Sequence, residues 1–379
     1  MCNPIQFYSP NVRCLAMFGK DQYHTSFAEN ITGPSGSTAT VSWEFDAGSG
    51  NTTGQPVVSA DGDVYFGSAN SSGKLTKLNK NGEKQWEYAT NVSIGMPAIL
   101  SDGVVYFGRI GAGGGLAFTA LNSDGSKKWD FDDASIVKTF TVSEKGEAYF
   151  TFQSGSQDKL VVLKTDGSLK TTISGSGLSG FAPVVLENGN IITTRWVSGN
   201  QFFTSYSADG TQLWDLAYTG ANGNYPLDPS YDKTTGKTYS AAGHELFDIP
   251  SDGSIINVHN IAPWNYDAAT TVAIDSDALY VGFNNENSAS GSLIYTLNKA
   301  DLSTRWSFQT GSRLNKQIVV DKKGNVYFST QSGELYSLKK NGSQNWKIEA
   351  GMESTISPTL TDGAVVWGYG NRLTSIGVK

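Results

Sequence analysis

Short apolar runs separated by tight turns recur along almost the whole chain. One motif is a turn followed by alternating β-branched and aromatic residues. It reads DGDVYFGS (61–68), DGVVYFGR (102–109), KGEAYFTF (145–152), NGNIITTR (188–195), TGKTYSAA (235–242), SDALYVGF (276–283), KGNVYFST (323–330) and DGAVVWGY (362–369). A turn that leads into such alternation predicts a hairpin entering a half-buried strand. Just upstream of most copies lies a short continuous apolar run: QPVV (55–58), MPAI (96–99), APVV (182–185), QIVV (317–320) and SPTL (357–360). Runs of that kind suit a strand buried on both faces.

Tryptophans keep the same beat. Trp43, Trp86 and Trp129 are 43 residues apart, Trp214 follows two periods later less one residue, and Trp306 and Trp346 come after a longer unit. In four copies a glycine stands four residues before the tryptophan: Gly82, Gly125, Gly210 and Gly342. Two copies, KTDGSLKT (164–171) and PSDGSIIN (250–257), keep the turn and lose the tryptophan. Each unit therefore predicts four short antiparallel strands: an inner PVV type, a YFG type, a KLTKLN type, and an outer strand with the tryptophan. Four strands per period of about 40–45 residues describe one blade of a β-propeller. The eighth unit stops after its third strand, LTSIGVK (373–379), and the missing fourth is present near the other end as TVSWEF (40–45). The expected fold is all-β, an eight-bladed propeller of four-stranded blades, with this N-terminal strand completing the last blade and removing an exposed sheet edge. Residues 1–39 are expected to form a leader packed on the ring, and 40–379 the propeller.

Copies such as KLNKNGEKQW (77–86) and ALNSDGSKKW (120–129) resemble the tryptophan-docking motif of the PQQ-type, or quinoprotein-like, propeller repeat. The segment MFGKDQYHTSFAENITGP (17–34) is similar to the leader that precedes the first blade in many such proteins. The pattern differs from the WD40 repeat, which shares the period: Trp-Asp occurs only at 129–130 and 214–215, and no Gly-His signature recurs. The resemblance implies that Trp43, Trp86, Trp129, Trp214, Trp306 and Trp346 pack one blade on the next. It does not fix an activity, because one fold hosts many functions. Its members include quinone-dependent alcohol dehydrogenases, the outer-membrane assembly lipoprotein, and sensor or adhesion modules.

Composition agrees with many strands and turns: 43 glycines and 12% aromatic residues in 379. The formal net charge of −7, with no basic cluster, argues against nucleic acid as a partner. No apolar run is long enough to span a bilayer as a helix. The first 20 residues lack the apolar core of a signal peptide. From family habit an extracytoplasmic location is expected. Three readings of the two cysteines, Cys2 and Cys14, stay open: free thiols, a disulfide across a short loop, or Cys2 as the lipid-bearing first residue of a mature lipoprotein.

Chemistry-bearing motifs are sparse. His24, His244 and His259 show no metal-ligand spacing. GAGGG (111–115) lacks the Lys-Ser/Thr ending of a phosphate loop, and Asp61-Gly62-Asp63 fits the repeated turn better than a calcium loop. The resemblance to quinone dehydrogenases implies paired cysteines and a calcium site. Cys2 and Cys14 are not adjacent, and PWNYDAATTV (263–272) is similar to those enzymes' W-D-Y-D stretch with Asn265 in place of the first Asp.

What remains is a face. Strands alternate direction, so the connections from outer to inner strand, and from second to third, share one side. These connections vary in length, and variable loops on a rigid scaffold commonly carry binding. Arg109, Lys138, Arg195, Trp196, Tyr225, Trp264, Tyr266, Asp267, Arg313, Lys316 and Glu353 fall on that side and form the expected ligand-binding face. The reading is a monomeric, non-catalytic binding or scaffold propeller, without a cofactor, that recognises a protein or carbohydrate. The alternative is an oxidoreductase dependent on pyrroloquinoline quinone and calcium. A propeller lyase or hydrolase acting on a polysaccharide has no motif behind it.

Overall fold

The computed structural model describes residues 15–17, 21–34, 36–48, 51–52, 55–69, 73–90, 92–110, 118–132, 137, 139–154, 157–178, 182–218, 226–286 and 291–378. Every regular element among them is a β-strand, and the strands form eight separate antiparallel sheets, each built on a four-stranded core. The fold is an eight-bladed β-propeller. Two compact units divide it: residues 1–22 with 47–217 hold blades one to four, and residues 23–46 with 218–379 hold blades five to eight.

Blade seven shows how the repeat becomes a sheet. Its strands are Val319–Asp321, Val326–Ser329, Glu334–Leu338 and Gln344–Glu349, paired in sequence order. Val319 faces Tyr327, Val326 faces Leu338 and Tyr336 faces Lys347. The inner three strands are almost wholly buried, as their apolar runs predict, while the outer strand alternates. One residue past the position opposite the tryptophan the register slips, at Ser337/Leu338 here and at the equivalent point in blades one, two, three and six. A bulge at that place bends the outer strand.

The last blade closes as expected. Ala39–Asp46 pairs antiparallel with Arg372–Val378, from Ala39 opposite Val378 to Asp46 opposite Arg372. Polar bonds reinforce this seam: Arg372 Nη1 to Glu44 Oε1 at 2.6 Å, Tyr369 Oη to Glu44 Oε2 at 2.7 Å, and Asn371 Nδ2 to Asp46 Oδ1 at 2.8 Å.

Within each unit, tryptophan and glycine meet across neighbouring blades. Trp86 donates its indole N–H to the Ser123 carbonyl (3.2 Å), Trp129 to that of Thr165 (3.0 Å), and Trp306 to that of Lys340 (2.9 Å). Each acceptor lies two residues before the turn glycine of the next blade, Gly125, Gly167 or Gly342, and each indole covers that glycine. A Cβ there would stand 2.6–2.8 Å from indole carbons. In blade three, which lacks the tryptophan, Ile173 and Thr171 pack against Gly210 instead.

Between blades five and six this contact is replaced by charge. The turn of blade six is one residue longer, Leu302 adopts φ +59°, and Lys299 bonds Asp232 of blade five at 2.9 Å. Both side chains are buried, at 9% and 4% exposure. Lys299 Nζ also donates to the Asp275 carbonyl and to Thr234 Oγ1. Burial opposes ionisation of Asp232, but donors from Thr234, Lys299 and Thr235 outweigh it and hold the carboxyl below its usual range.

The leader runs along the inner strands. In the first unit the Leu15–Ala16 backbone pairs with Leu100 and Ile99, and Gln22 bonds blades three and four through Glu144 N–H and Val185. In the second unit, Tyr231, Ile274 and Val320 occupy one repeat position on successive inner strands. They donate their N–H groups to the carbonyls of Tyr23 (2.8 Å), Thr25 (2.7 Å) and Ser26 (3.0 Å). Phe27–Ala28 then pairs in parallel with Val320 and Asp321, and Gly33 N–H donates to Asp321 Oδ2.

Candidate functional site

The expected binding residues fall into three groups. Lys138 and Tyr225 lie outside the described residues, as do Cys2, Cys14 and the GAGGG loop.

In the first unit, two arginines are committed to their own blades. Arg109 on the second strand of blade two sits 3.6 Å from Asp130 Oδ1, which also accepts from Thr119 Oγ1 at 2.8 Å, while Lys127 bonds Asp130 Oδ2. Arg195 on the second strand of blade four repeats the pattern. Its Nη2 bonds Asp215 Oδ2, its Nε donates to Thr204 Oγ1 at 3.0 Å, and its guanidinium lies 4.6 Å from the centre of the Phe202 ring. These two aspartates are the ones that follow a tryptophan. The Trp-Asp pairs at 129–130 and 214–215 thus mark blades in which Arg, Thr and Asp form one rung across three strands. Trp196 stays 47% exposed, with its N–H on the Gly177 carbonyl.

In the second unit, loops of neighbouring strands are stitched into one surface. Pro263–Asn265 forms a turn closed by Tyr266 N–H on the Pro263 carbonyl, and Glu286 N–H bonds the Asn265 carbonyl. Tyr266–Ala268 adds to the second strand of blade six, opposite Asn285, Asn284 and Phe283. Ile261 and Ala262 both donate to the His244 carbonyl. On this frame Trp264 stands 74% exposed, while Tyr266 is buried in the core with Val272, Leu246 and Phe283. Tyr266 therefore positions the loop rather than facing solvent.

Asp267, Glu286 and Arg313 influence one another. Burial, then the charge of Glu286, pushes the Asp267 carboxyl above the usual range, while the backbone N–H groups of Gly243 and Ala268 and the Arg313 guanidinium pull the other way. Arg313 is exposed, donates weakly to the Asn285 carbonyl at 3.5 Å, and accepts Gln331 N–H on its own carbonyl. Lys316 and Glu353 are exposed; their carbonyls tie down Thr271 and Gly370. Sequence reasoning missed two members of this surface: Glu286, visible only as an acid just past a strand, and Met352, a 45% exposed apolar side chain beside Glu353.

Beneath Lys316, Gln317 is 1% exposed, and neither Nε2 nor Oε1 has a partner among the described residues. An unpaired buried polar atom costs about 1–3 kcal/mol. Gln317→Met, of similar length, is expected to stabilise the protein by about 1–2 kcal/mol. Thermal unfolding checks this; a lower melting temperature would mean that the amide is bonded.

Residues 29–282 and 289–378 match the family model described as outer membrane protein assembly factor BamB. The chain belongs to this family. Its repeats also place it among PQQ-type propellers, as their docking tryptophans indicate. No curated protein matches the sequence. Among solved structures it is similar to BamB from Moraxella catarrhalis: 14% identity, TM-score 0.66, 90% of this chain and 100% of the other. It is also similar to a europium-containing methanol dehydrogenase (9%, TM-score 0.75, 97% and 98%). A third is the quinohemoprotein alcohol dehydrogenase from Comamonas testosteroni (11%, TM-score 0.73, 95% and 80%). At these identities the likeness concerns the fold.

Two of these relatives raise the question of a metal-held quinone. Among the described residues no three His, Cys, Asp or Glu side chains converge as metal ligands. Asp267 and Glu286 come together, but the Arg313 guanidinium already supplies positive charge there. Calcium takes 6–8 oxygen ligands. The described side chains do not by themselves fit that demand.

Proposed function

We propose that this chain is a non-catalytic, extracytoplasmic binding propeller that recognises a protein or carbohydrate partner through the loop surface around Trp264. Residues 1–39 serve it as a leader and 40–379 as the binding body, acting as a monomer. The observation that carries the reading is Trp264 itself, a large aromatic side chain 74% exposed on a loop fixed by backbone hydrogen bonds. A rigid indole presents wide contact area at low entropic cost, which is how interface anchors work. Arg313, Lys316 and Glu353, on loops of the same unit, add exposed charge suited to a polar rim.

Trp264→Ala is expected to leave the melting temperature unchanged and to weaken partner capture, from an extracytoplasmic extract or a glycan array, at least about tenfold. Undiminished capture would remove Trp264 from the site. One observation favours the alternative of a quinone- and calcium-dependent oxidoreductase: the raised pKa of Asp267, since perturbed carboxyls cluster at reactive sites. Titration with pyrroloquinoline quinone and calcium separates the two readings. A ligand bound at a hundredfold excess over Kd adds about 2.7 kcal/mol of stability, so a clear thermal shift selects the oxidoreductase and none leaves the binding module.

A further inference from the structure

An exposed aromatic anchor serves a protein or a sugar, and the polar groups beside it decide which. Among residues 261–268, Trp264 is the one large apolar side chain that is exposed; Tyr266, two residues on, is buried. The core of a protein–protein interface gathers apolar side chains and is depleted of charge. Here the indole is instead tied through the backbone to charged neighbours. Glu286 N–H donates at 2.9 Å to the carbonyl of Asn265, the residue after Trp264. Tyr266 and Asp267 pair with Asn285 and Asn284 at the end of the second strand of blade six, just before Glu286. Arg313 reaches the same strand end, with Nη1 3.5 Å from the Asn285 carbonyl. Glu286 and Arg313 are exposed, and Asn265 and Asp267 are partly exposed. A flat apolar ring, an amide, two carboxyl groups and a guanidinium thus meet at one turn.

This mixture does not select an ion. An anion drawn to Arg313 would meet Asp267 and Glu286, and a cation drawn to the carboxyl groups would meet Arg313. A hydroxyl group suits both, since it donates to a carboxylate and accepts from a guanidinium. A hexose ring combines a rim of hydroxyls with a face of C–H groups that packs on an indole. Asp267 responds to such donors: burial and the Glu286 charge disfavour its ionised form, and hydrogen bonds to that form offset both.

We propose that the Trp264 turn is a sugar-binding subsite, in which one hexose ring of a neutral oligosaccharide stacks on the indole while its hydroxyls bond Asn265, Asp267, Glu286 and Arg313. This rests on the reading of the Trp264 surface as the binding site and narrows its partner to carbohydrate. Backbone bonds at Ile261, Ala262, Tyr266, Ala268 and Glu286 hold the turn, so ring and polar groups are placed before the ligand arrives.

An array of neutral and acidic oligosaccharides, probed with the intact chain, tests this, and calorimetry on the neutral oligosaccharide retained best measures the variants. The parent should retain neutral glycans. Its affinity should change less than about twofold between low salt and roughly 0.5 M salt, because an uncharged ligand leaves little to screen. Trp264→Ala should weaken binding at least about tenfold, and Trp264→Phe, which keeps a ring, should weaken it less. Asp267→Asn and Glu286→Gln should each lose about fivefold, since an amide replaces a charge-assisted acceptor. The Trp264 side chain is 74% exposed, so both variants at that position should melt as the parent does. Retention of acidic glycans alone, or neutral binding that survives Trp264→Ala, overturns the subsite. So does an array that retains nothing while protein capture from extract still falls in Trp264→Ala; that result leaves Trp264 a protein anchor and the binding reading intact. If neither glycan nor protein capture depends on Trp264, both readings fall.

Discussion

Lys299→Met should destabilise the protein by about 3–4 kcal/mol, the usual cost of removing one partner from a buried ion pair. Its side chain is 9% exposed, and the carboxylate it neutralises, Asp232, is 4% exposed. Methionine retains most of the packing volume, so the loss is mainly electrostatic. Asp232 would keep its donors from Thr234 and Thr235 but no cation, and the Asp275 carbonyl would lose a donor. Adding Asp232→Asn to the variant should restore part of the loss, because the stranded charge is then gone. Chemical denaturation of the two variants and the parent checks both statements. Equal stability of Lys299→Met and the parent would mean that water reaches Asp232. The pair matters because this seam has no docking tryptophan, and Lys299 and Asp232 tie blades five and six together by charge instead.

Gly342→Ala should cost about 3 kcal/mol, and Trp306→Ala should remove most of that penalty. Two effects add at Gly342. Its φ of +83° is strained for any residue with a Cβ, at about 1–2 kcal/mol. The new methyl would also stand 2.6 Å from Trp306 Cδ2, inside van der Waals contact. Only the second effect depends on Trp306. In a Trp306→Ala background the cost should fall to about 1 kcal/mol, a coupling of the size seen for side chains in contact. A double-mutant cycle measured by denaturation reads that coupling directly. Additive effects would show that indole and glycine do not share an energy, and would undo the docking account of the repeat.

Much of the candidate site was hidden from the sequence for a reason visible at Arg109 and Arg195. Both look like free cations on a loop face. Each is neutralised by an aspartate about 20 residues later, brought alongside by strand pairing. The spare Trp-Asp pairs at 129–130 and 214–215 could have signalled this, had the arginine, threonine and aspartate positions been aligned in register across the blade. Tyr266 likewise reads as a binding aromatic and lies in the core, whereas Trp264, two residues away, is exposed. Which of two neighbours faces inward in an irregular turn depends on the bonds at Asn265 and His244, and no periodicity encodes those.

By itself the sequence determined the blade count, the four-stranded unit, the tryptophan–glycine spacing and the closing strand Ala39–Asp46. All of these rest on short-range alternation repeated eight times, and repetition makes a weak local signal strong. Tertiary structure alone decided the Lys299–Asp232 pair, the meeting of Asp267, Glu286 and Arg313, and the path of Tyr23–Ala28 across three inner strands. Each of these joins residues from different blades or from the leader. Their partners are selected by the geometry with which finished blades pack together. That geometry exists only after the repeats have folded, so no local pattern along the chain records it.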